Sequence, residues 1–291
     1  MDKVNGVLLV NKPLGMSSAA VLNKIKYVHK LDKIGHSGTL DPLASGVLVV
    51  LLGSATRLQF LFMGGNKEYR GRFKLGQVST SDDLGGEVTA TGIEVPLLTD
   101  SELQLLQEKF SGKLQQVPPQ ISAIKIGGER VYKLSRRGET VEISPREIVI
   151  DHISLKQIGD ELEYVIRCSK GTYIRSIARD IGIELGCGAL VSQLERSYTH
   201  PYAIDGCQSY DSVIDKSKEL SFIGIETILS DRTKFTLDAG EIKKLISGDR
   251  SWCEGREAEK ILVFSSEDDQ FFAYAMFTDQ QKWNLCVVRG V

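Results

Sequence analysis

The stretch that decides how this chain is read is Gly35-His36-Ser37-Gly38-Thr39-Leu40-Asp41-Pro42-Leu43-Ala44-Ser45-Gly46-Val47-Leu48. One acidic residue sits in a glycine-rich loop, and a continuous apolar run, Val47 to Leu52, follows it. Such a run predicts a buried strand. Gly35, Gly38 and Gly46 permit tight or left-handed backbone beside a bound ligand. Pro42 pushes Asp41 away from helical geometry toward an extended one. The pattern predicts a carboxylate held in a set direction at the mouth of a rigid strand. An Asp-Pro pair is also what an ordinary turn uses, so these residues alone leave both readings open.

Outward from this loop, Gly6 to Val10 predicts a short strand ending in the turn Asn11-Lys12-Pro13-Leu14-Gly15. Ser17 or Ser18 can cap the helix that follows, in which Val21, Leu22, Ile25 and Val28 share one face. Tyr69 to Leu75 reads as a strand and Ser79 to Gly86 as a polar loop. Thr99-x-x-Glu102 is a capping-box pattern opening a helix with Leu103, Leu106 and Phe110 on one side. Prolines and glycines punctuate Val117 to Arg146, which reads as a long basic insert outside the compact core. Leu162, Tyr164, Ile166 and Cys168 alternate at strand period. Ile174, Ile177, Ala178, Ile181 and Leu185 then form a helical face that Gly186 ends. After about residue 230 a short amphipathic helix, Glu241 to Ile246, precedes strands at Ile261–Phe264, Phe271–Met276 and Trp283–Val288. Two domains are expected, 1–230 and a small, mostly β unit at 231–291.

The 291 residues are 42% hydrophobic and 25% charged, ordinary values for a globular protein. No apolar stretch approaches a membrane span, and the N-terminus lacks a signal-peptide layout, so a cytoplasmic location is the default expectation. The five cysteines include no C-x-x-C pair, and the four histidines are dispersed. Neither a disulfide framework nor a metal site is expected. No G-x-G-x-x-G or P-loop signature implies a nucleotide cofactor. The net charge of −2 argues against a nucleic-acid binder taken as a whole. The charge is uneven, however. Lys12, Lys24, Lys26, Lys30 and Lys33 cluster near the N-terminus, and Lys125, Arg130, Lys133, Arg136 and Arg137 in mid-chain. Acid gathers at Glu257, Glu259, Glu267, Asp268 and Asp269. Such a field can bind RNA despite a negative total.

The Gly35–Leu48 segment resembles the catalytic motif of the TruB family of tRNA pseudouridine synthases, G-H-x-G-x-L-D-P-x-A-x-G-x-L, at each specified position. Four further segments resemble the same family: Lys12-Pro13-Leu14-Gly15-Met16-Ser17-Ser18; Tyr69-Arg70; Ser169-Lys170-Gly171-Thr172-Tyr173-Ile174-Arg175-Ser176; and Leu185-Gly186-Cys187-Gly188-Ala189 with Leu194-Glu195-Arg196. The resemblance implies an α+β fold: a pseudouridine-synthase-type mixed, largely antiparallel sheet flanked by helices, ending in a small PUA-like RNA-binding domain. It implies Asp41 as nucleophile, with an Asp41–Arg175 ion pair orienting the carboxylate. Tyr69 would stack on the target uracil, Tyr173 would help hold the flipped nucleotide, and Leu194 would wall the pocket. His36 would brace the emptied RNA stack, and Lys12 would support the site. The implied activity is isomerisation of uridine-55 in the tRNA T-loop, without cofactor or metal, by a monomer acting on the T-stem-loop.

Read without the resemblance, Tyr69 and Leu194 are core residues, and Arg175 with Arg179 forms a solvated helix face. Two positions depart from the family pattern. Thr80 stands where an aspartate is common, which predicts a missing loop-ordering contact, and Ile121 replaces an aromatic. A guide-RNA-dependent relative is the nearest competing enzyme, and the insert favours the stand-alone type. A tRNA-binding folding chaperone that needs no catalysis is the competing reading from another class.

Overall fold

The computed structural model describes residues 4–121, 125, 126, 129, 130 and 142–289. The apolar run after Asp41 is the strand Ala44–Leu52, in which each residue but Ser45 is buried. It lies inside a large mixed sheet. From one edge the order is Gln208–Ser209, Gly6–Lys12, Ala44–Leu52, Ala189–Thr199, Lys67–Leu75, Glu161–Cys168, Arg146–Ile158 and Gly112–Gln116. Most pairs are antiparallel. The contact between Ala44–Leu52 and Ala189–Thr199 is parallel and short, with Leu194, Glu195 and Arg196 opposite Ala44, Ser45 and Gly46. This joint unites the two halves of the sheet.

The expected helices form where their faces predict. Ser18–Val28 buries Val21, Leu22, Ile25 and Val28, with Ser17 as its N-cap. Asp100–Lys109 opens on the Thr99–Glu102 capping box. Ile174–Glu184 buries Ile174, Ile177, Ala178 and Ile181 against Phe73, Tyr164 and Ile166 of the sheet. Phe73 and Tyr164 stack there at 4.1 Å. The covered face is apolar because every second residue of Glu161–Cys168 is buried. The opposite face carries cross-strand ion pairs, Arg72 with Glu161 and Glu163, and Arg167 with Glu68.

The C-terminal sheet has four strands, Lys234–Thr236, Ile261–Ser265, Phe272–Phe277 and Trp283–Arg289. Helix Ala239–Ser247 accompanies it, capped by Asp238 and ended by Gly248 at φ 113°. The sheet packs on the main body through Ile261, Val263, Phe272 and Tyr274 against Ala55, Leu58, Ile225 and Leu229. The Tyr274 hydroxyl donates to the Ser54 carbonyl at 3.0 Å.

Several expectations need correction. Of Gly35, Gly38 and Gly46, only Gly46 adopts a left-handed backbone, at φ 103°. A Cβ there would lie 2.2 Å from the Arg196 carbonyl oxygen, so the close parallel joint itself requires glycine. The 117–146 segment is not wholly outside the core. Pro118 and Pro119 are buried, and Arg146 opens a 13-residue strand. That strand hides from a periodicity reading because its register shifts between Ile150 and His152. Ser79 belongs to a short hairpin strand, Gln77–Ser79. Most of the expected RNA-clasping insert, with Lys133, Arg136 and Arg137, lies outside the described residues, as do the Lys125 and Arg130 side chains. Among the described residues no helix is long and apolar enough to cross a membrane.

Candidate active site

The Asp41 loop enters the sheet at the joint, and the backbone around it is tied at several points. The Ser18 hydroxyl donates to the Leu40 carbonyl at 3.1 Å and accepts from the Leu40 N–H at 2.9 Å. The Pro42 carbonyl accepts from Gly15 N–H at 2.8 Å, and Asp41's own carbonyl accepts from Ala44 N–H at 3.0 Å. Asp41 is thus a turn residue, and its side chain, 39% exposed, still reaches solvent.

Arg175 occupies the first turn of the Ile174–Glu184 helix and is buried, so it is no solvated face. Its guanidinium pairs with the Asp41 carboxylate at 3.0 Å and lies 3.6 Å from that of Asp83. It also donates to the carbonyls of Ser81 at 3.1 Å and Ile121 at 3.0 Å. Four oxygens therefore fix one fork, the geometry in which arginine orients a carboxylate. The Ser79–Gly86 turn brings Asp83 into place. Asp83 accepts from the Ser81 hydroxyl and, at 2.9 Å, from Gly85 N–H. Thr80 makes a contact of its own, its hydroxyl accepting from Glu87 N–H at 3.1 Å. The departure at Thr80 thus leaves the turn hydrogen-bonded. The departure at Ile121 leaves its backbone contact to Arg175 in place. Asp82 faces Arg179 at 3.4 Å. Burial raises its carboxyl above the usual range, and Arg179 opposes the shift.

Tyr173 is the N-cap residue of the same helix. Gln116, buried beside it, accepts from Tyr173 N–H at 2.8 Å and donates to its carbonyl at 3.0 Å. The Arg146 guanidinium lies 4.5 Å from the Tyr173 ring centre.

Tyr69, Leu194 and Arg196 meet at the joint by register. Leu194 is flanked by Ala44 and Gly71, and Arg196 by Gly46 and Tyr69. Burial pushes the Tyr69 phenol above its ordinary value, and the charge of Arg196, its cross-strand neighbour, opposes the shift. Arg196 is only 2% exposed, and it donates to the Val47 carbonyl at 2.9 Å and the Gly38 carbonyl at 3.2 Å. Lys12 is fully buried rather than part of a surface cluster. Its ammonium donates to the carbonyls of Pro13 at 2.8 Å and Met16 at 2.6 Å. Burial pushes it down to about 8, against the pull of Asp41. His36 ends the short strand Ile34–His36. Its Nδ1 accepts from Gly38 N–H at 3.2 Å, and burial and Arg196 lower its pKa. A cleft of about 730 Å³ opens beside the joint, with Leu14, Leu43, Leu194, Arg70 and Glu195 in its lining.

The structure brings Asp41 and Arg175 into direct contact and seats Tyr69 and Leu194 across the joint. Sequence assigns no role to Asp83, Gln116 or Arg196, and offers Ser18 only as a helix cap, whereas it ties Leu40 instead. The register of the Ala189–Thr199 strand is what gathers Arg196 with Tyr69, and no local pattern reports it. Asp83 is signalled only as part of the polar Ser79–Gly86 loop.

Residues 26–174 match the family described as TruB family pseudouridylate synthase (N terminal domain). The chain is 38% identical over 282 residues to the tRNA pseudouridine synthase B of Francisella philomiragia subsp. philomiragia, covering 94% of this chain and 91% of that protein. It is 45% identical over 201 residues to that of Brucella anthropi, covering 68% of this chain and 61% of that one. Among solved structures, a Cbf5-Nop10-Gar1 complex contains a chain that superposes with a TM-score of 0.63 at 22% identity, over 97% of this chain and 83% of that chain. That likeness shows the shared α+β fold. The family match and the Francisella relative carry the assignment: this chain belongs to the TruB family and is a pseudouridine synthase.

Proposed function

We propose that this protein converts uridine-55 of the tRNA T-loop to pseudouridine, with Asp41 as the nucleophile acting on a flipped-out base. The observation that carries this reading is the solvent-reaching Asp41 carboxylate held 3.0 Å from the buried Arg175 guanidinium. The relatives' name, tRNA pseudouridine synthase B, supports tRNA as the substrate.

In this reaction the N1–C1′ bond breaks, the uracil turns, and a C5–C1′ bond forms. The C5 hydrogen leaves as a proton to water, and N1 gains one. Asp41 supplies the carboxylate that such chemistry needs. Arg175 fixes its direction without covering it. Tyr69 and Leu194 enclose the uracil, and the Tyr69 oxygen takes the C5 proton as its own proton passes to water. Tyr173, held through Gln116, steadies the nucleotide. A base inside a folded loop must be extruded first, and His36 fills the emptied stack. Lys12 supports the turn beneath Asp41. Residues 1–230 carry the chemistry, 231–291 act as a PUA-like RNA-binding unit, and the protein works as a monomer on the T-stem-loop in the cytoplasm.

The test is tritium release from transcribed tRNA labelled at uracil C5. Wild type is expected to release label from one site, and tRNA with cytidine at position 55 to release none. Asp41→Asn should slow release by at least about 10³-fold while still binding tRNA. If wild type binds tRNA and releases nothing, the enzymatic reading fails and a tRNA-folding role takes its place. Full release by Asp41→Asn would remove the nucleophile assignment.

A further inference from the structure

Two arginines are buried among the described residues, and they are bonded differently. Arg175 faces the carboxylates of Asp41 and Asp83. Arg196 instead binds the Val47 carbonyl at 2.9 Å and the Gly38 carbonyl at 3.2 Å. Gly38 precedes Asp41 and Val47 follows it, so one guanidinium holds both legs of the nucleophile loop. The register places Arg196 between Gly46 on one neighbouring strand and Tyr69 on the other. Gly46 lets the two strands approach, because a Cβ there would meet the Arg196 backbone. Isolated buried charge is expensive, and carbonyl partners only partly offset it. A fully apolar residue at 196 would pack the joint without that penalty.

We infer that Arg196 is a positioning residue for the reaction, setting the Asp41 loop against the Tyr69 phenol and, by donating to the phenol oxygen, turning its proton and remaining lone pair toward the base. The inference rests on the pseudouridine synthase reading and assigns a role inside it. A purely structural brace would stabilise the joint without coupling to Tyr69. A positioning residue acts through Tyr69, so its effect depends on the phenol being present. The guanidinium also opposes the burial that pushes the phenol upward.

The experiment is single-turnover tritium release, with enzyme in excess over tRNA, for Arg196→Met, Tyr69→Phe and the double variant, alongside filter-binding affinity and thermal melting. Arg196→Met is expected to slow the single-turnover rate about 30-fold with tRNA affinity within about threefold. In the Tyr69→Phe background the same change should cost no more than about threefold. Equal losses in both backgrounds would reduce Arg196 to a structural brace. A rate within threefold of wild type would overturn the inference. If Tyr69→Phe is too slow to follow, the pH profile decides. Removing the guanidinium should move the ascending limb to higher pH, and an unmoved limb overturns the inference. If Arg196→Met does not fold, Arg196→Lys replaces it: the charge remains but the fork is lost, and about a tenfold loss is expected. A loss under threefold there overturns the inference too. Wild type that binds tRNA but releases no label would sink the underlying reading instead, a result distinct from all of these.

Discussion

The joint of the large sheet and the C-terminal four-stranded sheet are both built from strands with a buried layer, yet the layers differ in kind. In the C-terminal sheet Leu262, Phe264, Ala273, Tyr274 and Ala275 are fully buried. There, exclusion of apolar area from water does the stabilising. Around the joint and the helix that faces Asp41, Lys12, Arg175 and Arg196 are buried together with Ser18 and Gln116. Each of these has a specific partner oxygen, as buried polar groups require. A hydrophobic layer would serve stability as well or better. The polar layer instead fixes directions: of the Asp41 carboxylate, of both legs of its loop, and of the Tyr173 backbone. One region is therefore legible as fold alone, and the other as fold that gives up stability for orientation.

The comparison is strained hardest at Arg175. Arg175→Met leaves Asp41 and Asp83 without their cation and the Ser81 and Ile121 carbonyls without a donor. A stability loss of about 3–5 kcal/mol in urea unfolding is expected, with a single-turnover rate lowered by about 10²-fold or more. Phe264→Ala should cost a similar 3–5 kcal/mol through its cavity. Its folded fraction should turn over labelled tRNA within about twofold of wild type. Comparable slowing by Phe264→Ala would break the distinction between the two regions.

Lys12 offers a test in pH. Its folded-state pKa is about 8 and its ordinary value 10.5. Between these, the unfolded chain keeps a proton that the folded protein has released. Stability contributed at this position therefore rises with pH from 8 to 10.5. Below pH 8 both states are protonated and the burial penalty stands in full. Unfolding of wild type and Lys12→Met across that window isolates the effect from the tyrosines and cysteines that titrate nearby. Wild type should gain on the order of 2–3 kcal/mol relative to the variant. A flat difference would mean that the ammonium is solvated.

Much of this arrangement was readable from sequence because local rules produced it. The Val47–Leu52 run, the Thr99 capping box, the apolar face from Ile174 and the strand-period Leu162–Cys168 all formed as their patterns require. The Asp41–Arg175 contact was anticipated through the resemblance, and the structure places the pair at 3.0 Å. What stayed hidden depends on pairing between distant segments. Lys234–Thr236 has three residues and one apolar side chain, too little for a period, and exists because Ile261–Ser265 lies beside it. Arg196 read as the end of a motif until register set it beside Tyr69. Lys12 read as surface charge because lysine usually is, and only the turn carbonyls of Pro13 and Met16 explain its burial.

The finest test of the contrast uses two adjacent serines. Ser17 and Ser18 were equivalent candidates for the helix cap, but the structure divides their work. Ser17 caps, accepting from Ala20 N–H at 3.1 Å at an exposed helix end. Ser18, buried, holds both backbone groups of Leu40, the residue preceding Asp41. Ser17→Ala should cost about 1 kcal/mol of stability, as the loss of a cap does, and leave the single-turnover rate unchanged. Ser18→Ala should cost about 1–2 kcal/mol, since two buried backbone groups lose their partner. It should also slow turnover by about tenfold, because the loop that aims the carboxylate is freed to shift. Denaturant midpoints measured with tritium-release rates would resolve the pair. If the two variants lose stability alike and neither slows chemistry, orientation at the joint does not depend on Ser18. The polar layer would then be no more than an alternative way to close the sheet.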